Sequence, residues 1–192
     1  KLHPTNFEIA DEHRELWSFE DHSDAVRAIA VDDQGYVYTA SNDGTARKID
    51  PTGNEEWSFD GHSGSVYAIA ADDQGYVYTG GRDNTVKKIA PDGTEEWSFT
   101  HHSDYVYVVA VDDQGYVYTG GYDDTVKKLD PTGNEEWSFG GHSHNVYAIA
   151  VDDQGYIYTG GADRDVYKLD PSGDELWSYD AGMYVRGIAV IE

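Results

Sequence analysis

The chain has 192 residues, 39% of them apolar and none of them cysteine, with 37 acidic residues against 13 basic ones and a formal net charge of −24. That length fits one compact domain or two very small ones with a sizeable core, and the absence of cysteine excludes disulfides and thiolate metal sites. A field of that sign repels phosphate backbones and anionic membrane surfaces, which excludes nucleic acid and membrane as partners, and no apolar run reaches the length of a membrane span.

The 14% aromatic content places the acid on the surface of a folded body rather than in a disordered tail. Self-repulsion among so many carboxylates opposes compaction, and the charge is larger than solubility alone needs. At about 1 M salt the screening length falls to roughly 3 Å, so the repulsion nearly vanishes. A salt-adapted protein is therefore expected. Because the chain opens on Lys1 rather than Met, some N-terminal sequence is expected to have been removed or left out, and localisation stays open.

Trp17, Trp57, Trp97, Trp137 and Trp177 stand 40 residues apart, and a strict period of that length signals a solenoid or propeller. In chain order, 1–20 form a partial unit, 21–60, 61–100, 101–140 and 141–180 form four complete units, and 181–192 form a second partial unit. TNFEIADEHRELWSFE (5–20) aligns only with the last two strands of a unit. Each complete unit reads as four strands, A to D, which in the second are VYAIA (66–70), YVYTG (76–80), TVKKI (85–89) and EEWSF (95–99). Asp72-Asp73-Gln74-Gly75 suits a tight A–B hairpin, and Pro91-Asp92-Gly93 presets the C–D turn. YVRGIAVI (184–191) matches strand A alone. No window has an apolar period of 3.6, so no helix is expected.

A four-stranded unit of this size cannot bury both faces alone, and packing copies face to face around an axis solves the problem. The expected fold is a single all-β domain over 1–192: a β-propeller of four-stranded antiparallel blades, about five in number, one of them a composite of the N- and C-termini. Strand B of that blade is missing, so it is supplied by flanking residues, left short, or filled by a partner chain, which makes a homo-oligomer through the incomplete blade one expectation. Each Trp, on the outer strand D, is expected to wedge between neighbouring blades, a burial worth roughly 2–3 kcal/mol. The functional reading, an exposed stacking platform, fits the identical spacing less well.

GHSGSV (61–66), followed by Thr79 and Asp83 in YTGGRDNTVKKI (78–89), resembles the WD-repeat pattern. In that family a Gly-His pair opens strand A, and an Asp in the B–C turn follows a Ser or Thr on strand B. The resemblance implies a structural hydrogen-bonded network. Its histidines would be His22, His62, His102 and His142, its aspartates Asp43, Asp83, Asp123 and Asp163, and its hydroxyls Thr39, Thr79, Thr119 and Thr159. The family's usual strand C Trp is replaced by Ile49, Ile89, Leu129 and Leu169, so the network is expected to be at most a triad. PTGNEEWSF (51–59) is similar to the quinoprotein-type propeller repeat, with its Gly before an acidic or apolar pair and its outer-strand Trp. Together these resemblances cover nearly the whole chain and imply a propeller, but they name no function.

No catalytic constellation is expected, since a His-Asp pair in every unit offers no asymmetric site, and the protein reads as a non-enzyme. His142 with His144, and His101 with His102, lack a carboxylate at ligand spacing, and DDQG lacks the alternating acids of a calcium loop, so no metal is expected. A quinone goes with a larger ring of blades, so no cofactor is expected either.

Comparing the four units with one another points to a surface. DDQGY is identical in all of them, including Gln34, Gln74, Gln114 and Gln154, which turn geometry does not demand. Three columns differ every time: Ala25, Ser65, Tyr105, Asn145; Asn42, Arg82, Tyr122, Ala162; and Gly44, Asn84, Asp124, Arg164. The first lies in the D–A loop and the others in the B–C turn, so all share one rim. Loop tips tolerate change in general, but the A–B tips did not drift, which favours a functional rim. Its palette resembles a paratope. The candidate binding residues are Asn42, Arg82, Asn84, Tyr105, Tyr122, Asp124, His144, Asn145 and Arg164, with Arg82, Tyr105, Tyr122, His144 and Arg164 as anchors. The expected role is a scaffold binding a protein that exposes carboxylates. Lectin-like glycan binding between blades and a purely structural, self-assembling unit stand as alternatives.

Overall fold

The computed structural model describes residues 16–190, and these contain strands and turns but no helix. Sixteen strands form four antiparallel meanders. The first blade holds β1 (Val26–Val31), β2 (Val37–Ser41), β3 (Ala46–Ile49) and β4 (Glu55–Phe59), and the second holds β5 (Val66–Ala71), β6 (Val77–Gly81), β7 (Val86–Ile89) and β8 (Glu95–Phe99). The third holds β9 (Val106–Val111), β10 (Val117–Gly121), β11 (Val126–Leu129) and β12 (Glu135–Phe139), and the fourth β13 (Ile149 at its centre, Val146–Val151), β14 (Ile157–Gly161), β15 (Asp165–Leu169) and β16 (Glu175–Asp180). The first strands pack on one another in the order β1, β5, β9, β13, so the sheets stack face to face as propeller blades.

The constant DDQGYVY stretch is held by its first Asp. In the second blade one carboxylate oxygen of Asp72 accepts the N–H groups of Gln74 (3.0 Å) and Tyr76 (2.9 Å). The other accepts the hydroxyl of Tyr78 at 3.0 Å. The turn is thereby tied to a tyrosine buried two residues into strand B, and the same bonds recur at Asp32, Asp112 and Asp152. Burial, then the adjacent carboxylate, pushes the Tyr78 hydroxyl well above the usual range. Nothing in the structure explains the constancy of the exposed Gln74 side chain.

Blade-to-blade packing uses both ends of each unit. The Trp57 indole N–H donates to the carbonyl of Pro91 in the next blade (3.1 Å), and Trp97 and Trp137 do the same to Pro131 and Pro171. Between the blades, Val66 and Ile69 pack on Tyr38 and Ala40, and Val106 and Val109 on Ala68 and Tyr78.

The composite blade differs from expectation. Its expected strand C falls in residues 1–15, outside the described residues, as do 191–192. The expected strands at Leu16–Glu20 and Tyr184–Val190 are not formed. A ladder needs a neighbour, and the strand B that would pair with the C-terminal segment is the one the sequence lacks. The side chains nonetheless repeat the inter-blade contacts. Trp17 lies on Gly53 as Trp57 lies on Gly93, and Val185 and Ile188 lie on Gly160 as Val146 and Ile149 lie on Gly120. The Val185 N–H donates to the Gly161 carbonyl at 3.0 Å. Where strand B of a preceding blade would sit, β1 is open: Ile29 is 63% exposed, against 8% for its counterpart Ile69.

Candidate ligand-binding rim

The D–A and B–C connections leave each blade on the same edge, and the backbone joins two of the three variable columns. The N–H groups of Asn42, Arg82, Tyr122 and Ala162 donate to the carbonyls of Ala25, Ser65, Tyr105 and Asn145, at 3.0, 2.8, 2.9 and 2.8 Å. Residues that differ from blade to blade are therefore direct neighbours. The third column is a turn position with left-handed backbone: φ is 88° at Gly44, 65° at Asn84, 62° at Asp124 and 78° at Arg164. Gly, Asn and Asp tolerate that region, whereas an arginine there carries strain of about 1 kcal/mol.

The pairing of the first two strands slips by one residue at the rim in every blade, between Val26 and Ala28, Val66 and Ala68, Val106 and Val108, and Val146 and Ala148. The skipped residues are Arg27, Tyr67, Tyr107 and Tyr147, and Arg186 follows Val185 in the same manner. A bulge frees its residue from the ladder and re-aims its side chain. These five were missed in the sequence comparison, which sought columns that change every time; a column reading Arg, Tyr, Tyr, Tyr inside a strand passes as structure. The signal was nevertheless present, as a long polar or aromatic side chain straight after the first Val of every strand A.

The bulge tyrosines and the variable columns converge. Ring centroids are 5.8 Å apart for Tyr67 and Tyr107, 5.6 Å for Tyr105 and Tyr122, and 5.2 Å for Tyr107 and Tyr147. Tyr107 and Tyr122 are stacked at 5.7 Å. The Arg82 guanidinium lies 5.4 Å over Tyr105 and its Nε donates to that hydroxyl at 3.2 Å. Arg186 lies 5.0 Å over Tyr147, and Arg27 Nε donates to Asn42 Oδ1 at 2.7 Å. Burial first, then the neighbouring Tyr147 and Tyr107, raises the Tyr122 hydroxyl, so it stays a neutral donor. A cavity of about 430 Å³ opens among Arg27, Tyr67, Ile69, Tyr107, Val109 and Tyr122, and no carboxylate lines it.

Of the predicted binding residues, Asn42, Arg82, Tyr105, Tyr122 and Asn145 belong to this cluster, Asn145 through an amide that donates to the Tyr147 hydroxyl at 3.4 Å. His144 touches it only through Asn145. Asn84, Asp124 and Arg164 make no hydrogen bond or ring contact to the tyrosines among the described residues, and Asn84 and Asp124 each leave an Oδ1 buried without a partner.

The described cations fall into two sets. Those of strand C are neutralised: Arg47, Lys87 and Lys127 pair with Glu55, Glu95 and Glu135, while Lys48, Lys88 and Lys128 pair with Glu56, Glu96 and Glu136. Lys168 lies 4.2 Å over Tyr156. Arg27, Arg82, Arg164 and Arg186 are exposed on the rim, and none forms an ion pair among the described residues.

The repeated histidines form a different arrangement. Nδ1 of His62 lies 3.0 Å from Asp83 Oδ1 and its Nε2 2.8 Å from Thr79 Oγ1. The corresponding distances are 2.8 and 2.7 Å at His22, 2.8 and 2.8 Å at His102, and 2.7 and 2.8 Å at His142. An ionised carboxylate can only accept, so the Nδ1 side of each ring donates to the aspartate while Nε2 bonds the threonine hydroxyl. Burial works against the Asp123 carboxylate, but bonds from His102, Thr125 and the Ser103 N–H outweigh it and hold its pKa down at about 2. Hydroxyl, imidazole and carboxylate in line have the form of a nucleophile relay, yet Thr79 is 0% exposed and leaves no room for a substrate. Both ring nitrogens of His142 and His102 are engaged in these bonds, and no group of three His, Asp or Glu side chains at metal-holding spacing occurs among the described residues.

In comparison with known proteins, the PQQ-repeat family model described as "Outer membrane protein assembly factor BamB" matches residues 9–120 and 122–190. No curated protein matches the chain.

Proposed function

The chain belongs to that PQQ-repeat propeller family, and from this premise we propose that it is a non-enzymatic scaffold that binds another protein through the rim of D–A and B–C connections. The observation that carries the reading is a cavity lined by Tyr67, Tyr107, Tyr122 and Arg27 and by no carboxylate, extended through ring contacts to Tyr105 and Tyr147 with Arg82 and Arg186 over them, on a chain of net charge −24. Rigid aromatics flanked by small polar groups suit protein recognition, and the family's description as an assembly factor fits a protein-handling role. Catalysis is not part of the proposal, because the His–Asp–Thr relay found among the described residues is repeated blade by blade and buried. We read that His–Asp–Thr relay as a structural tie of the WD type.

The test is capture of partners from the native source on three immobilised proteins: wild type, a Tyr105→Ala/Tyr122→Ala variant, and a Gln74→Ala/Gln114→Ala variant on the opposite rim. Capture should be lost in the first variant and kept in the second. Equal capture by both would sink the reading. A glycan-array signal that disappears in the tyrosine variant would replace it with lectin activity. Self-assembly has its own support in the open face of β1 and in Trp177, which is 44% exposed. Light scattering over a concentration series tests that reading, and a strict monomer would exclude it.

A further inference from the structure

We infer, resting on the protein-binding reading above, that the rim basin takes an extended segment of a partner protein in which one or two carboxylates alternate with apolar side chains. The acidic half of that description comes from the arginines. Among the described residues Arg47, Lys48, Lys87, Lys88, Lys127 and Lys128 each pair with a glutamate, whereas Arg27, Arg82 and Arg186 form no ion pair although the chain carries 37 acidic groups. Arg27 lines the basin, and Arg82 and Arg186 lie over the Tyr105 and Tyr147 rings beside it. Arg82 and Arg186 are already laid flat on Tyr105 and Tyr147, so little side-chain freedom remains to be lost when a guanidinium edge meets a carboxylate. The Tyr67, Tyr107 and Tyr122 hydroxyls add hydrogen-bond donors.

The apolar half comes from the floor. Between the arginines the cavity wall is Ala68, Ile69, Val108 and Val109, with the faces of Tyr67 and Tyr107. A run of carboxylates would leave that wall unfilled. A volume of about 430 Å³ holds a few side chains of a peptide and not a folded domain. The body's charge sets an upper limit on ligand charge: at physiological ionic strength the screening length is about 8 Å, so one or two carboxylates seated on the arginines are shielded from those acids that lie farther away than this. A polyanion that extends past the basin meets the repulsion of the rest of the surface. Short, mixed segments are favoured on both counts.

The experiment uses fluorescence anisotropy with three labelled eight-residue peptides of equal length: one alternating Asp or Glu with Leu and Phe, its Asn/Gln isostere, and an all-Glu peptide. Wild type should bind the first and bind the isostere at least tenfold more weakly, since a hydrogen bond to a charged group is worth about 1.5–3 kcal/mol. Binding of the first peptide should weaken as salt rises. Arg27→Gln/Arg82→Gln/Arg186→Gln, verified as folded by its melting curve, should lose the preference for the acidic peptide. Gln74→Ala/Gln114→Ala should change nothing. Equal binding of the acidic peptide and its isostere, no binding of either, or tightest binding of the all-Glu peptide would each overturn the inference. If the peptides fail but Tyr105→Ala/Tyr122→Ala still abolishes partner capture, the binding rim stands and only its acidic–apolar ligand is lost. If capture is also unchanged, the rim itself is refuted.

Discussion

Gly93→Ala tests how the blades are held together, with Gly75→Ala as its internal control. Both glycines have positive φ, 90° and 83°, so both substitutions carry the same backbone cost of roughly 1–2 kcal/mol. They differ in what the new methyl meets. At Gly75 the nearest atoms are Pro91 side-chain carbons at 3.7 Å, an ordinary contact. At Gly93 a Cβ would lie 2.9 Å from Cγ and 3.0 Å from Cβ of Trp57 in the preceding blade, so the indole must move. That movement breaks the bond from its N–H to the Pro91 carbonyl, worth about 1 kcal/mol, and uncovers part of a ring whose burial is worth up to roughly 2 kcal/mol. Gly93→Ala should therefore cost about 3–4 kcal/mol in urea denaturation and Gly75→Ala about 1, or roughly 10 °C against 3 °C of melting temperature for a domain of this size. In a Trp57→Ala background the difference should vanish. Equal losses at the two glycines would refute the wedge. Gly53→Ala extends the test to the N-terminal segment: a Cβ there would meet Trp17 Cγ at 2.7 Å, so its cost should match that of Gly93→Ala.

Arg164→Gly should raise stability by about 1 kcal/mol, or 2–4 °C, by relieving a φ of 78°; an unchanged or lower melting temperature would show that the arginine earns its conformation from contacts. The Asp123 carboxyl has a pKa of about 2 when folded against roughly 3.9 unfolded, so between those values the unfolded chain binds more protons. Its contribution, about 2–3 kcal/mol, is complete above pH 5 and is lost as pH falls through 4 toward 2. Because protonation also relieves self-repulsion, the readout is the difference between wild type and Asp123→Asn, which should shrink over that window; a constant difference would refute the assignment. The melting temperature of wild type should climb from low to molar salt as repulsion within the −24 surface is screened, and a flat response would sink the salt-adapted reading.

The strands were legible because period and turn chemistry agree. The second unit's segments at 66–70, 76–80, 85–89 and 95–99 match β5 to β8 within a residue at either end. The terminal segments carry equally strand-like residues, yet form no strands among the described residues, since pairing depends on a neighbour and the sequence shows composition only. On the rim, the meander topology put all three variable columns on one edge, whereas the backbone bonds that make two of them direct neighbours came from the structure. The bulge column escaped, because a bulge is a property of register between two strands and its mark in one strand, a long side chain straight after the first Val, passes as ordinary strand composition. The third column's variation counted toward a binding rim in the sequence; the backbone restricts it to residues that accept positive φ, and only Arg164 breaks that restriction. The His–Asp tie was visible at its ends but not in its middle. Thr85 Oγ1 donates to Asp83 and the Ser63 N–H binds the same carboxylate, so the absence of a strand C tryptophan is offset by groups the repeat comparison did not single out.

The bulges also explain how near-identical blades build an asymmetric site. A residue inside the ladder is bound by its cross-strand partner, its face and its register, and Tyr78 and Val66 recur in every blade. Arg27, Tyr67, Tyr107 and Tyr147 are skipped by that pairing, so a change of type there leaves the ladder intact. Exchanging Arg for Tyr at a bulge alters charge and shape at the rim while the blade beneath it stays the same. The neighbouring columns at Ser65 and Arg82, or Tyr105 and Tyr122, are joined through main-chain atoms, which places no demand on their side chains. Stability and the proposed recognition thus draw on separate sets of atoms, with carboxylates at the A–B turns holding buried tyrosines and unpaired arginines at the opposite rim. It follows that rim substitutions should combine additively with changes such as Gly93→Ala, and coupling between the two sets would mean that the rim's side chains, and not its backbone, carry the fold.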